Sequence, residues 1–143
     1  MPTAGVGDDR RAGLDRLVDA YLRAERAGDV ETMLDAVSDD VEHEMFGAGD
    51  NPVRGREGLR ARSLAHFANQ ATERQIPLRR LYGDGFVVDE AVWEGRITGR
   101  LGPWVGAGRR VSHRVLRIFE VQNGRIARVS VYPDFAAIVP QLS

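Results

Sequence analysis

The stretch VSHRVLRIFEVQNGRIARVSV, residues 111–131, constrains the fold most. Two runs rich in β-branched and aromatic residues flank Asn123-Gly124, a dipeptide that favours a tight hairpin. In the first run Val111, Val115, Phe119 and Val121 share one parity, and His113 and Arg117 share it with them. A strand packed into a dry core has no partner for a guanidinium, whereas a strand lining a cavity has a use for one.

Two registers are open across the turn, and side-chain parity chooses between them. A two-residue loop pairs Gln122 with Arg125 and brings Arg128, Ser130 and Asp134 onto the apolar face. A three-residue loop with Gly124 left-handed pairs Val121 with Arg125 and brings Ala127, Val129, Val131 and Pro133 there instead. The second is the expected register. The opposite face then carries Arg114, Leu116, Ile118, Glu120, Ile126, Arg128, Ser130 and Tyr132. Half of it is apolar, which suits a homodimer contact through the outer sheet face.

The remainder reads as helices followed by strands. Helical spacing over 9–27 turns Leu14, Leu17, Val18, Tyr21 and Leu22 inward. Gly28 ends that helix and Asp29 caps a short second one over 30–37, with Met33, Leu34 and Val37 inward. Ser38-Asp39-Asp40 reads as a turn, and Val41, His43 and Met45 share one face of a strand whose other face holds Glu42 and Glu44. Residues 46–55 read as loop, and a third helix over 56–70 offers Leu59, Leu64 and Phe67. Strands are expected near 76–82, 86–96, 109–121 and 125–133, with a long loop over 99–108. Residues 1–8 read as a loose arm before one α+β domain, 9–143.

Composition narrows the chemistry. All 20 basic residues are arginine and there is no cysteine, so lysine Schiff bases, disulfides and thiol nucleophiles are excluded. The net charge of −1 points to neither nucleic acid nor an anionic membrane. No apolar run approaches a membrane span and the opening MPTAGVGDDRR lacks a signal-peptide core, so a cytoplasmic location is the default expectation. No HxH or HxxxH spacing suggests a metal, and no cofactor is expected.

Three stretches carry a family resemblance: YLRAERAGDVETMLDAVSDDVEHEMFG, VLRIFEVQNGRIARVSVYPD and DFAAIVPQL. In that order they resemble the nuclear transport factor 2-like proteins, which include ketosteroid isomerase, limonene epoxide hydrolase, scytalone dehydratase and the SnoaL-like polyketide cyclases. The resemblance implies a cone-shaped α+β fold, with three N-terminal helices on a curved, mainly antiparallel sheet. It implies an oxyanion donor at Tyr21, eight residues before Asp29. The isomerase base falls near Met45, its second acid near Arg117, and the last-strand acid of cyclases and the epoxide hydrolase near Val131. Methionine and valine take no proton.

Candidate catalytic residues are therefore His113, Arg117, His43, Tyr21 and Asp134. His113 suits proton transfer near neutral pH, or is a mouth histidine satisfied by a backbone carbonyl. Arg117 awaits a substrate anion or a protein carboxylate. His43 is a base or a hydrogen-bonded core histidine, and Tyr21 an oxyanion donor or a packing residue. Asp134 lies opposite His113 only in the rejected register. Trp93, Met45, Phe119, Val131 and Trp104 are candidate substrate contacts, Trp104 as a lid, and His66 is expected at the mouth or in solvent. Together these residues suit a cofactor-independent cyclase, isomerase or epoxide-opening enzyme of secondary metabolism, acting on a small hydrophobic molecule. The alternative is a non-catalytic, dimeric ligand-binding protein of the same fold.

Overall fold

A computed structural model describes residues 7–47 and 52–143. Helix α1 (Asp8–Ala27) buries Leu14, Val18, Tyr21 and Ala24, a stripe at helical spacing. Gly28, at φ 70°, ends it by donating to the Ala24 and Glu25 carbonyls. Asp29 accepts from the Thr32 N–H and so caps α2 (Val30–Asp35). Strand β1 (Val37–Met45) starts earlier than the sequence suggests: Val37 to Asp40 extend it through an irregular register instead of forming helix and turn. Strand β2 (Val53–Arg54), expected as loop, pairs with Glu42 and His43. Helix α3 (Gly55–Asn69) buries Leu59 and half-buries Phe67, but Leu64 faces solvent at 50% exposure. Of the expected arm, residues 1–6 lie outside the described set, and Asp8 already belongs to α1.

Strands β3 (Gln70–Gly83), β4 (Phe86–Ile97), β7 (Arg109–Gln122) and β8 (Arg125–Pro133) follow. The six-stranded sheet runs β2-β1-β8-β7-β4-β3 and is antiparallel except between β1 and β8. The expected loop over 99–108 contains a small ribbon, β5 (Arg100–Leu101) against β6 (Trp104–Val105). Gly106 brings it close to β4: a Cβ there would stand 2.1 Å from the Ile97 carbonyl oxygen. A fourth helix, α4 (Phe135–Gln141), went unread in the sequence. Its cap is Asp134, whose carboxylate accepts from the Ala137 N–H.

The last hairpin starts in the two-residue register and then shifts to a pairing that neither expected register gives. Asn123 and Gly124 both have positive φ, 53° and 74°, so the loop has two residues and pairs Gln122 with Arg125. The expected three-residue loop is thus corrected. A bulge then leaves Ala127 unpaired, and from Glu120↔Arg128 onward the apolar parity is restored, with Phe119 opposite Val129 and Arg117 opposite Val131. The bulge also turns Ile126 into the core, fully buried, where the outer face was expected.

On the concave face, register aligns three rows. Tyr82, Val87, Phe119, Val129 and His43 form one; Arg80, Asp89, Arg117, Val131 and Met45 the next; Gln75, Trp93 and His113 lie nearer the mouth. Helix α1 covers the first two rows. Arg80 ties it down, bonding Asp15, Asp19 and Asp89 at 2.8–2.9 Å, while the Tyr82 hydroxyl donates to Asp15 at 2.6 Å.

Candidate active site

Arg117 is 6% exposed and its Nη2 donates to Glu25 Oε1 at 2.9 Å. Among the described residues its Nε and Nη1 are buried and have no hydrogen-bond partner. Glu25 was not foreseen. Its signal was the helical stripe itself: Leu14, Val18 and Tyr21 continue to position 25 at the same spacing.

Around this pair lies an inner cavity of about 40 Å³, lined by Glu25, His43, Met45, His66, Arg117 and Val131, among others. Tyr21 is fully buried beside the pair, edge-on to Phe119 at 5.6 Å, with its hydroxyl unpartnered among the described residues. Burial pushes its phenol far up, Glu25 adds to this and Arg117 opposes it, so Tyr21 remains a proton donor. His43 is 6% exposed and its Nδ1 is likewise unpartnered. Burial, reinforced by Arg62, His66 and Arg117, pushes His43 down to about 3. It is a neutral imidazole at physiological pH.

His66, expected at the mouth or in solvent, lines the mouth cavity and the groove and reaches the inner cavity as well. The Gln70 side-chain amide lies against both of its ring nitrogens, 2.8 Å from Nδ1. Burial lowers its proton affinity, Glu25 raises it and Arg117 lowers it.

The mouth holds a second cavity, also about 40 Å³, bounded by Trp93, His113, Leu101, Pro133 and Ile138 and sharing Met45, His66, Arg117 and Val131 with the first. His113 Nδ1 lies 2.9 Å from the Arg114 carbonyl oxygen. A carbonyl only accepts, so Nδ1 carries the proton and neutral His113 keeps its lone pair on Nε2. Burial lowers its proton affinity; the Arg114 carbonyl raises it, Arg117 lowers it and Asp134 raises it. Four residues apart on β7, His113 and Arg117 are about 13 Å apart along the strand, so they meet different ends of any ligand. Trp93 packs against His113 with ring centroids 5.6 Å apart and donates from Nε1 to the Thr72 hydroxyl at 2.9 Å. Trp104, on the ribbon, rests on Phe135 of α4 at 5.4 Å. Phe119 packs in the core, away from both cavities, and Asp134 is engaged as the α4 cap.

A groove of about 240 Å³ leads outward between α3 and the ribbon, past Met45, Arg62, His66, Asn69 and Arg100. A larger concavity, of about 700 Å³, lies elsewhere, against α1 and α2 near Arg10, Arg16, Asp35 and Asp84. It is open to solvent, and its lining residues include none of the buried, unpartnered polar atoms found in the cone. Among the described residues no cluster of three metal-ligating side chains occurs, and no helix is long and apolar enough to cross a membrane.

Comparison with known proteins agrees with this architecture. A family model described as SnoaL-like polyketide cyclase matches residues 15–142. No curated protein sequence matches significantly. Among solved structures, TsrD from Streptomyces laurentii aligns at TM-score 0.78 and 22% identity, over 93% of this chain and 96% of that one. An LEH-like epoxide hydrolase of M. tuberculosis aligns at TM-score 0.72 and 23% identity, over 92% and 90%. An NTF2-like protein from Burkholderia xenovorans LB400 aligns at TM-score 0.72 and 16% identity, over 92% and 97%. At these identities the structural likeness speaks for the fold alone. With the family match spanning nearly the whole sequence, the chain belongs to the SnoaL-like polyketide cyclase family and has the nuclear transport factor 2-like fold.

Proposed function

We propose that the protein is a cofactor-independent enzyme that moves a proton on a small apolar carbonyl compound or epoxide held in the cone. The observation that carries this reading is Arg117: a buried cation with two nitrogens, Nε and Nη1, whose N–H groups nothing among the described residues accepts. Each such orphan costs about 1–3 kcal/mol, a cost that a substrate oxygen would relieve. Negative charge developing on that oxygen would meet preorganised donors in a water-poor site. Neutral His43, with Nδ1 free, and protonated Tyr21 add donors nearby. His113 would serve the mouth end of the substrate through Nε2, between Trp93 and the groove. Trp104 would act as a lid, because each inner void is only about 40 Å³ and Leu101, on the same ribbon, lines the mouth one.

The same small voids, with Arg117 already paired, favour a second reading: a ligand-binding protein without turnover. The outer sheet face would form a homodimer in either case. It carries Leu81, Val88 and Ile118 in one row and Leu116 with Tyr132 in the next, and Tyr132 stacks on Phe46 at 4.2 Å.

A panel of ring ketones and epoxides tests the reading. Turnover that falls at least about 100-fold in both His113→Ala and Arg117→Met supports it. Ligand affinity with no product at any pH would favour the binding protein instead.

A further inference from the structure

The geometry points to Glu25 as the catalytic proton acceptor of this site: a carboxylate carried by α1 into the inner cavity and set over the β-strand row of Arg117, Val131 and Met45. This rests on the enzyme reading above and names the group that does its first step.

Glu25 is the one carboxylate among the described residues that line the inner cavity. Its neighbours in the adjoining row, Val131 and Met45, accept no proton, and a guanidinium accepts none either. The Gln70 side-chain amide lies against the ring nitrogens of His66 and donates to the one that carries the lone pair, so that lone pair is engaged. His43 is neutral and a poor acceptor, better suited to donate. Glu25 is left.

Its placement is hard to explain as structure alone. It stands in the last turn of α1, where the helix dipole disfavours a carboxylate. It satisfies only one nitrogen of Arg117, whereas a purely structural tie would gain from saturating the guanidinium.

The step balances. A C–H bond next to the substrate carbonyl breaks and its proton forms an O–H bond on Glu25. The released pair becomes a carbon–carbon double bond, and the carbonyl π pair moves to oxygen. Arg117 faces both the carboxylate that loses charge and the oxygen that gains it, so no net charge is created in the buried site. Glu25 then returns the proton to another carbon of the enolate and is regenerated.

The test uses the full chain, 2-tetralone as an apolar ring ketone and 2-naphthol as a planar mimic of its enol. Exchange of the α-protons in D2O is followed by NMR, and naphthol binding by fluorescence. The expected result is exchange by the native protein that drops at least about 100-fold in Glu25→Gln, with naphthol affinity kept within a few-fold. Undiminished exchange in Glu25→Gln overturns Glu25 as acceptor and leaves the enzyme reading standing with a histidine. Naphthol binding with no exchange by the native protein overturns both. Should Glu25→Gln not fold, Glu25→Asp decides: it retains the charge but withdraws the carboxylate by one methylene. A loss of at least about tenfold with naphthol binding intact is then expected, and unchanged exchange overturns the assignment.

Discussion

Arg117 Nη2 donates to Glu25 Oε1 at 2.9 Å, bridging residues 92 positions apart and joining the last turn of α1 to the middle of β7. Both side chains are largely buried, so neither charge can turn to water without loss of packing. Arg117→Met should therefore strand a buried carboxylate and cost about 3–5 kcal/mol. Adding Glu25→Gln removes the stranded charge, and the double variant should be more stable than Arg117→Met alone. Urea unfolding of the native protein, both single variants and the double variant checks this. Purely additive costs would mean that the two groups do not depend on each other.

Acid should weaken the fold through His43. Its folded value is about 3 against an ordinary 6.5, with burial as the main cause. The unfolded chain then binds more protons than the folded one between those values. The contribution is fully present above about pH 6.5 and is lost as pH falls, by up to about 1.4 kcal/mol per pH unit. His66 and His113 are lowered too and act in the same direction. Asp15 enters only further down. Burial raises it, but the bonds from Tyr82 and Arg80 prevail and lower it, so its contribution is lost below about pH 4. Between pH 4.5 and 6.5, His43→Gln should flatten the slope of stability against pH. An unchanged slope in urea titrations would remove His43 as the source.

The sequence revealed the fold through local patterns and concealed what depends on distant partners. Alternation along β7 placed His113 and Arg117 inward, and both line the cone. The turn dipeptide located the hairpin, but the bulge at Ala127 goes with the burial of Ile126 against Ala36 and Val37, distant partners that no local pattern encodes. Leu64 was expected inward on hydrophobicity alone, yet its neighbours Ser63 and His66 occupy the covered face. Glu25 and Asp89 were passed over because carboxylates ordinarily face water. Both sit at inward positions of an otherwise apolar pattern, and each is matched there by an arginine from another element: Arg117 on β7 for Glu25, Arg80 on β3 for Asp89.

The outer sheet face predicts association. Leu81 is 51% exposed and Tyr132 39%, on either side of half-buried Ile118 and Leu116. Ion pairs frame this stripe: Glu90 with Arg79 and Arg114, and Arg128 with Glu42 and Glu44. An apolar strip bordered by both signs of charge suits a self-complementary, two-fold contact. Sedimentation should find a dimer for the native chain and a monomer for Ile118→Arg, with the urea midpoint of the variant at low protein concentration close to native. A native chain that sediments as a monomer at micromolar concentration would rule the contact out.

The ribbon should set the rate of ligand entry. Trp104 lines none of the cavities, but it rests on Phe135 at 5.4 Å, and Leu101 of the same ribbon lines the mouth cavity, so in the lid reading this aromatic pair between β6 and α4 holds the ribbon down. Such a pair contributes about 0.5–1.5 kcal/mol beyond its buried area. Loss of it in Trp104→Ala should raise the population of open ribbon by up to about tenfold. The on-rate for 2-naphthol should rise by a similar factor, since entry needs the open state. The off-rate should rise as well, because the same contact holds a bound ligand in, so affinity should change less than either rate. Stopped-flow fluorescence resolves the two, with Trp93 retained as the reporter beside the mouth. If the on-rate of Trp104→Ala equals that of the native protein, entry does not pass through the ribbon, and the groove between α3 and Met45 becomes the route to examine.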